Sequence, residues 1–375
     1  MATAYTPGLR VSPFTTIRKT RRLPLKGTVL VREGEHVEPD TVVARTELPG
    51  VMQTVKVAAQ MGVEPGDVEK LLKVKVGDRV EKDQILAESR SLFGLIRTTC
   101  KSPMAGTVEH FSPISGSIGI RAAPIPIEVV AYIRGRVVSV IPEEGVEVEA
   151  QGAFVQGIFG VGGERRGTVR VLADSPEEPL EAATITDECR NCVVVGGSLV
   201  TGGALRKAAE VGASAVVAGG IIDKDLVDFL GYDIGVAITG HEDIPITVIV
   251  TEGFGRIPMA RRTFRLLKLL EGYSASVNGA TQIRAGVIRP EVIVPLEEPI
   301  GGADVEGASD KQELEVGATV RIIRQPYFGE LATVTELPPE PTLIPSGATV
   351  RVLKARLSSG EEVVIPRANV EILSG

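Results

Sequence analysis

The stretch VLVREGEHVEPDTVVA (residues 29–44) returns as LKVKVGDRVEKDQILA (residues 72–87), at an offset of 43. The matched positions are Val31/Val74, Gly34/Gly77, Glu35/Asp78, Val37/Val80, Asp40/Asp83 and Ala44/Ala87. Each copy reads as a hairpin: an alternating strand, a Gly-acidic turn and a second alternating strand. Gly34 and Gly77 supply the turn backbone, and Val37 and Val80 face inward. A chain that spells this unit twice within 90 residues opens as a β protein.

Working outward, β character continues through IEVVAYIRGRVVSVIP (127–142), with Gly135, Gly145, Gly152, Gly157 and Gly160 as turns or bulges. The expected layout is an N-terminal arm over 1–21 and a β domain over 22–175. The acidic, Pro-containing stretch 174–188 then changes the pattern. Short, fully apolar runs follow (Val193–Val195, Ala215–Ala218, Val236–Ile238 and Ile246–Val250), the mark of strands buried on both faces. Helical stretches at 203–211, 223–230 and 257–271 separate or follow them. This predicts a small doubly wound parallel α/β domain over 186–295. An acidic, Gly-rich linker spans 296–312, and a last β domain spans 313–375. There Gly317-Ala318-Thr319-Val320-Arg321 repeats as Gly347-Ala348-Thr349-Val350-Arg351, apolar positions alternating with Arg. The fold class is multidomain β and α/β.

Residues 22–125 resemble the barrel-sandwich hybrid fold of biotinyl and lipoyl carrier domains. The hairpin repeat carries the likeness, with Ser102-Pro103-Met104-Ala105-Gly106-Thr107-Val108 as the family's proline-to-GTV strand. Such carriers attach their cofactor to a Lys about 11 residues before that Gly. Here that position is Leu95 and the nearest Lys is Lys101, so no covalent biotin or lipoate, and no other cofactor, is expected. Residues 313–373 resemble a KOW motif in an SH3-like barrel, through VGATVRIIRQPYFGELATVTEL with its Phe328-Gly329 turn. That resemblance implies a β barrel that binds RNA, protein or its own neighbours.

Composition narrows the function. Among 375 residues, 43% are apolar and 24% charged, ordinary values for a folded chain. The net charge of −7 disfavours bulk binding of polyanions. No apolar run approaches a membrane span, and the first residues lack an apolar leader core. Three cysteines build no disulfide framework, which suggests a reducing, cytoplasmic setting.

Chemistry-bearing candidates are few. Gly-rich turns end every predicted α/β strand: Gly196-Gly197, Gly219-Gly220, Thr239-Gly240-His241, and Thr251-Glu252-Gly253 with Gly255-Arg256. In open parallel sheets ligands bind at these strand ends. Thr201 is an expected N-cap, and Gly202 and Gly203 open a helix whose free N–H groups could hold an anion. Asn278, Thr281, Gln282 and Arg284 form a second polar cluster. Arg261, Arg265 and Lys268 recur at i, i+4, i+7 as one basic helix face, opposite an apolar stripe of Ile257, Ala260, Phe264 and Leu267. Cys189 and Cys192 form a CxxC pair, but it precedes a strand, the wrong place for a thioredoxin-like motif. It has no second pair to complete a zinc site. The three histidines, His36, His110 and His241, lie in separate segments, and no nucleophile or metalloprotease motif appears.

Three functions stay open. One is a non-catalytic binding or assembly protein that docks protein partners, with an anionic small molecule possible at the strand ends. The others are a nucleotide- or cofactor-binding enzyme or sensor, and an RNA-binding transcription or translation factor acting through the C-terminal barrel.

Overall fold

The computed structural model describes residues 9–91, 96–232, 242, 244–282, 288–301, 314–322, 326, 327, 329–344 and 349–372. The protein is β-rich, built from several sheets, none of them closed among the described residues. No helix among the described residues is long and apolar enough to cross a membrane.

The N-terminal repeat is reproduced bond for bond. In the first copy Gly34 N–H donates to Val137 O (2.8 Å), Val137 N–H to Glu35 O (2.9 Å) and Leu30 N–H to Val43 O (2.8 Å). In the second, Gly77 N–H donates to Val108 O (2.8 Å), Val108 N–H to Asp78 O (2.9 Å) and Lys73 N–H to Leu86 O (2.8 Å). Gly34 and Gly77 both take left-handed backbone, with φ of 90° and 97°. That conformation costs glycine nothing and resists a side chain. The turn acids act alike: the Glu35 carboxylate accepts from Arg32 N–H at 3.0 Å, and that of Asp78 from Lys75 N–H at 2.7 Å.

The correspondence extends past the hairpins. Val37 pairs with Gly135 and Val80 with Gly106. These glycines open the equivalent strands Gly135–Ile141 and Gly106–Ser112. A Cβ at Gly135 would lie 2.3 Å from Glu149 O, and one at Gly106 would lie 2.3 Å from Arg121 O. On the far side Val11–Arg22 pairs with Gly145–Gln156, as Met52–Val55 pairs with Ser117–Arg121.

The two copies are nested. In the inner one, Ile85–Ser91 pairs directly with Ile96–Lys101. In the outer one the equivalent strand Val42–Leu48 pairs with Ile125–Val130, and the whole inner copy lies between them in sequence. The inner module is therefore inserted between the two outer strands that correspond to its own directly paired ones. Each has its own core. Val55, Val57, Val68, Val80, Leu86, Val108, Ile118 and Ile120 fill the inner one. The outer core joins Val37, Val43, Val137, Val146 and Val148 to Phe154 and Ile293 of the large sheet.

Gly145–Gln156 also leads into that large sheet by pairing with Glu291–Pro295. Four parallel neighbours form its α/β part: Glu164–Val171, Cys192–Val195, Ala215–Ile221 and Thr247–Phe254. Their side chains alternate between two cores, so both faces are buried. Val194, Val216, Val248 and Val250 meet helices Gly202–Val211 and Asp223–Leu230. Val193, Val195, Val217 and Ile249 meet helix Arg261–Leu269 on the other face. The expected strand Val236–Ile238 lies outside the described residues.

The sheet takes strands from both sides of 174–188. That stretch itself adds a two-residue strand, Pro179–Leu180, which pairs with Leu199–Val200, followed by two short 3₁₀ turns, Ala182–Thr184 and Asp187–Cys189. The segment read as an arm contributes the edge strand Val11–Arg22. The helix expected from 257 starts at Arg261. The backbone before it, around Pro258, is hydrogen-bonded to neighbouring strand-end loops instead.

Five antiparallel strands close the chain, in the order Glu362–Pro366, Val352–Leu357, Leu331–Glu336, Thr319–Ile322, Val370–Ile372. The repeated Thr-Val-Arg segments are not equivalent in space. Thr319–Ile322 lies inside this sheet, whereas Thr349–Val350 pairs with Thr342–Leu343 in a separate ladder.

Candidate functional site

The carboxyl ends of the parallel strands converge as the sequence reading expects, and the chain's own backbone fills the space they make. A Cβ on Gly219 would sit 2.2 Å from Ile257 O, and one on Gly220 would sit 2.0 Å from Gly255 O. Gly197 is crowded by Glu178 O at 2.4 Å, and Gly196 by the Leu180 side chain at 2.7 Å. Hydrogen bonds knit the loops: Gly219 N–H to Gly197 O (2.7 Å), Gly255 N–H to Ile221 O (2.7 Å) and Ile257 N–H to Ser198 O (3.1 Å). Here glycine serves close backbone approach.

At the start of helix Gly202–Val211, Thr201 is the cap: its hydroxyl accepts from Ala204 N–H at 3.2 Å. The anion at this terminus is internal. Asp225 reaches across from the next helix, and its carboxylate accepts from Gly202 N–H at 3.2 Å. Gly203 lies in the same first turn with only Ala182 and Thr201 side-chain atoms near its Cβ position.

The most deeply placed charged pair is at the end of Thr247–Phe254. Thr251 is buried and donates to Ala218 O at 3.3 Å. Glu252 follows, 8% exposed. Its Oε1 accepts from Ala260 N–H at 3.0 Å, just before the basic helix. Its Oε2 accepts from Arg321 of the C-terminal sheet at 2.5 Å, and the Arg321 side chain is 0% exposed. Alternation with Val320 and Ile322 makes Arg321 read as outward-facing, and so it is within its own sheet. It is buried because that outward face docks on the strand ends. The dock continues at Gly253, where φ is 147° and Gly329 O lies 3.0 Å from the Cβ position. A Cβ on Gly329 would in turn lie 3.2 Å from the Phe254 ring. Gly255 is left-handed, with φ of 108°, and Arg256 is exposed.

The second polar cluster serves a different neighbour. Thr281 is buried and accepts from Gly160 N–H at 2.8 Å, in the strand Phe159–Val161 that pairs with Val248–Val250. Asn278 accepts from Ala280 N–H at 2.9 Å, and Gln282 N–H donates to Ile288 O at 3.0 Å. These bonds hold residues 278–282 beside the strand that pairs with the amino-terminal half of Thr247–Phe254. Arg284 and the turn Thr239-Gly240-His241 lie outside the described residues.

Arg261, Arg265 and Lys268 are exposed on one face of Arg261–Leu269, while Thr263, Phe264, Leu266 and Leu267 are buried. Lys268 lies 5.9 Å from the Phe264 ring centroid and donates to Asp174 O at 3.4 Å. Arg262, between the two faces, donates to Val11 O at 2.9 Å and ties the helix to the edge strand.

Cys189 and Cys192 are free and buried. Burial, and then the neighbouring Cys189, raises the Cys192 thiol above its ordinary value, so it stays protonated. Among the described residues no three His, Cys, Asp or Glu side chains gather as a metal site. His36 and His110 lie in strands of different modules.

Sequence reasoning missed Arg321 and Asp225, and also a fastening cluster beneath the outer module. Tyr132, with φ of 71°, donates its hydroxyl to Glu291 at 3.3 Å, and Glu291 pairs with Lys19 at 2.5 Å. Arg21 pairs with Glu164 at 2.7 Å and lies over the Tyr132 ring. The charges balance within this cluster. No protein-family model matches the chain, and a search of curated proteins finds no match.

Proposed function

We propose that this chain is a non-catalytic, multidomain assembly protein that docks acidic protein partners on the exposed face of Arg261–Leu269. The observation that carries this reading is the filling of the strand-end crevice. Where an α/β enzyme would hold a ligand, glycine turns are knit to backbone and the buried carboxylate is committed to Arg321 and Ala260. What the same region offers outward is positive charge, at Arg256, Arg261, Arg265 and Lys268. On a chain of net charge −7 such a patch is local and selective. It steers an acidic surface into register without holding polyanions in bulk.

The finer architecture belongs to the same proposal. The nested N-terminal modules are barrel-sandwich hybrids used for packing and presentation, and the C-terminal five-stranded sheet is a KOW-type SH3-like barrel. The equivalent glycine turns of the two copies support the first. The antiparallel strand order supports the second.

The test is capture of partners from a native extract with the wild-type chain and with the combined variant Arg261→Glu, Arg265→Glu, Lys268→Glu. The variant should fold, since exposed substitutions usually cost within about 0.5 kcal/mol each. It should lose partners that the wild type releases as salt rises. An unchanged set of captured proteins would contradict the docking role.

A further inference from the structure

We propose that the Arg321–Glu252 pair is a latch: it holds the C-terminal module closed on the strand-end face and ties that seating to the start of the basic helix. The two residues are 69 positions apart and belong to different sheets, yet meet at 2.5 Å with side-chain exposures of 0% and 10%. A buried pair of this kind behaves in an all-or-none way. Removing Arg321 strands the Glu252 carboxylate as a bare charge, while removing both charges does not. Glu252 spends its second oxygen on Ala260 N–H, the last amide before Arg261–Leu269. One carboxylate thus fixes both the docked module and the lead-in to the basic face.

Among the described residues, further contact across the dock lies at Gly253, Phe254 and Gly329. Leu296 is buried and Ile300 packs on the same core, so the module can leave its seat only on the chain that follows residue 301. When it leaves, the Glu252 carboxylate and the Phe254 ring are uncovered, and the Ala260 lead-in loses its fixed anchor.

Hydrogen exchange on the full chain tests this, comparing wild type, Arg321→Met, Glu252→Gln and the double variant. Arg321→Met should speed exchange at Phe254 and Ala260 by roughly a hundredfold or more. Leu353 and Ala355, deep in the C-terminal sheet, should keep wild-type protection, because the module departs folded. The double variant should recover at least tenfold of the lost protection, since no bare charge remains. If Arg321→Met does not fold, Arg321→Gln carries the same expectation, since the Glu252 carboxylate again loses its charged partner. Equal loss of protection at Leu353 and Ala355 would overturn the latch in favour of a purely structural pair. So would an unmoved Ala260, or a double variant as open as the single.

Discussion

Val37→Ala and Val80→Ala place the same lesion at equivalent points of the outer and inner modules. Both side chains are 2% exposed, and each packs in the core of its own copy. Each substitution removes two carbon atoms, about 1.6 kcal/mol at ~0.8 kcal/mol per buried carbon. The cavity left behind raises the expected cost to about 2–3 kcal/mol at either site. The consequences should differ in reach. The inner core contains no residue of the large sheet, so Val80→Ala should speed amide exchange in Met52–Val55, Gly106–Ser112 and Ser117–Arg121 and leave Glu291–Pro295 protected. The outer core includes Phe154 and Ile293, so Val37→Ala should spread into Gly145–Gln156 and Glu291–Pro295. Denaturant unfolding gives the costs, and residue-level hydrogen exchange gives the reach. A cost under about 0.5 kcal/mol at either site would refute the repeat's equivalence. Loosening of Ile293 by Val80→Ala would refute the separation of the cores.

Three further outcomes are expected. Gly219→Ala sets a methyl group 2.2 Å from Ile257 O, so the strand-end loops must shift, at about 2–3 kcal/mol by denaturant midpoint; a cost below about 0.5 would show that they are not tightly knit. Cys192 is held protonated by burial, so alkylation of the folded chain near pH 8 should run at least about a hundredfold slower than in denaturant, and rapid stoichiometric labelling of the native protein would count against this. Burial and Glu291 raise the Tyr132 pKa well above its ordinary value, so its neutral form stabilises the fold at pH values below about 10. That contribution is lost as pH rises further, because the unfolded chain releases the proton first. Stability measured from pH 9 to 11.5 should therefore fall more steeply in wild type than in Tyr132→Phe; parallel curves would sink the assignment.

What could be read from the chain alone was local. Period-two alternation and the Gly34 and Gly77 turns need only neighbours within a few residues, so the hairpins were legible. The fully apolar runs at Val193–Val195 and Ala215–Ala218 likewise announced strands covered on both faces. The nesting was not legible, because the matching closing strands share little beyond Gly106 and Val108 against Gly135 and Val137. Their equivalence lies in backbone bonds rather than side chains. Thr201 was correctly read as a cap, while the anion beside it comes from Asp225, 24 residues away in sequence. Arg321 obeys its strand's alternation and is buried only because another module covers that face, which a local pattern does not encode. The apolar period of 257–271 ran on through Pro258, but tertiary hydrogen bonds claimed that backbone and the helix begins at Arg261.

The strand-end crevice is filled by the protein itself, and on that filling rests the proposal that the molecule works by docking. Its most direct test is the unfolding midpoint of the full chain across a panel of nucleotides, dinucleotide cofactors and phosphorylated metabolites at millimolar concentration. A ligand present at 100 times its Kd would add about 2.7 kcal/mol of stability. A crevice filled by the protein's own backbone gives a midpoint that stays put for every member of the panel. A reproducible rise of several degrees with one compound, abolished by Gly219→Val at the strand ends, would contradict it and make this chain a ligand-binding enzyme or sensor.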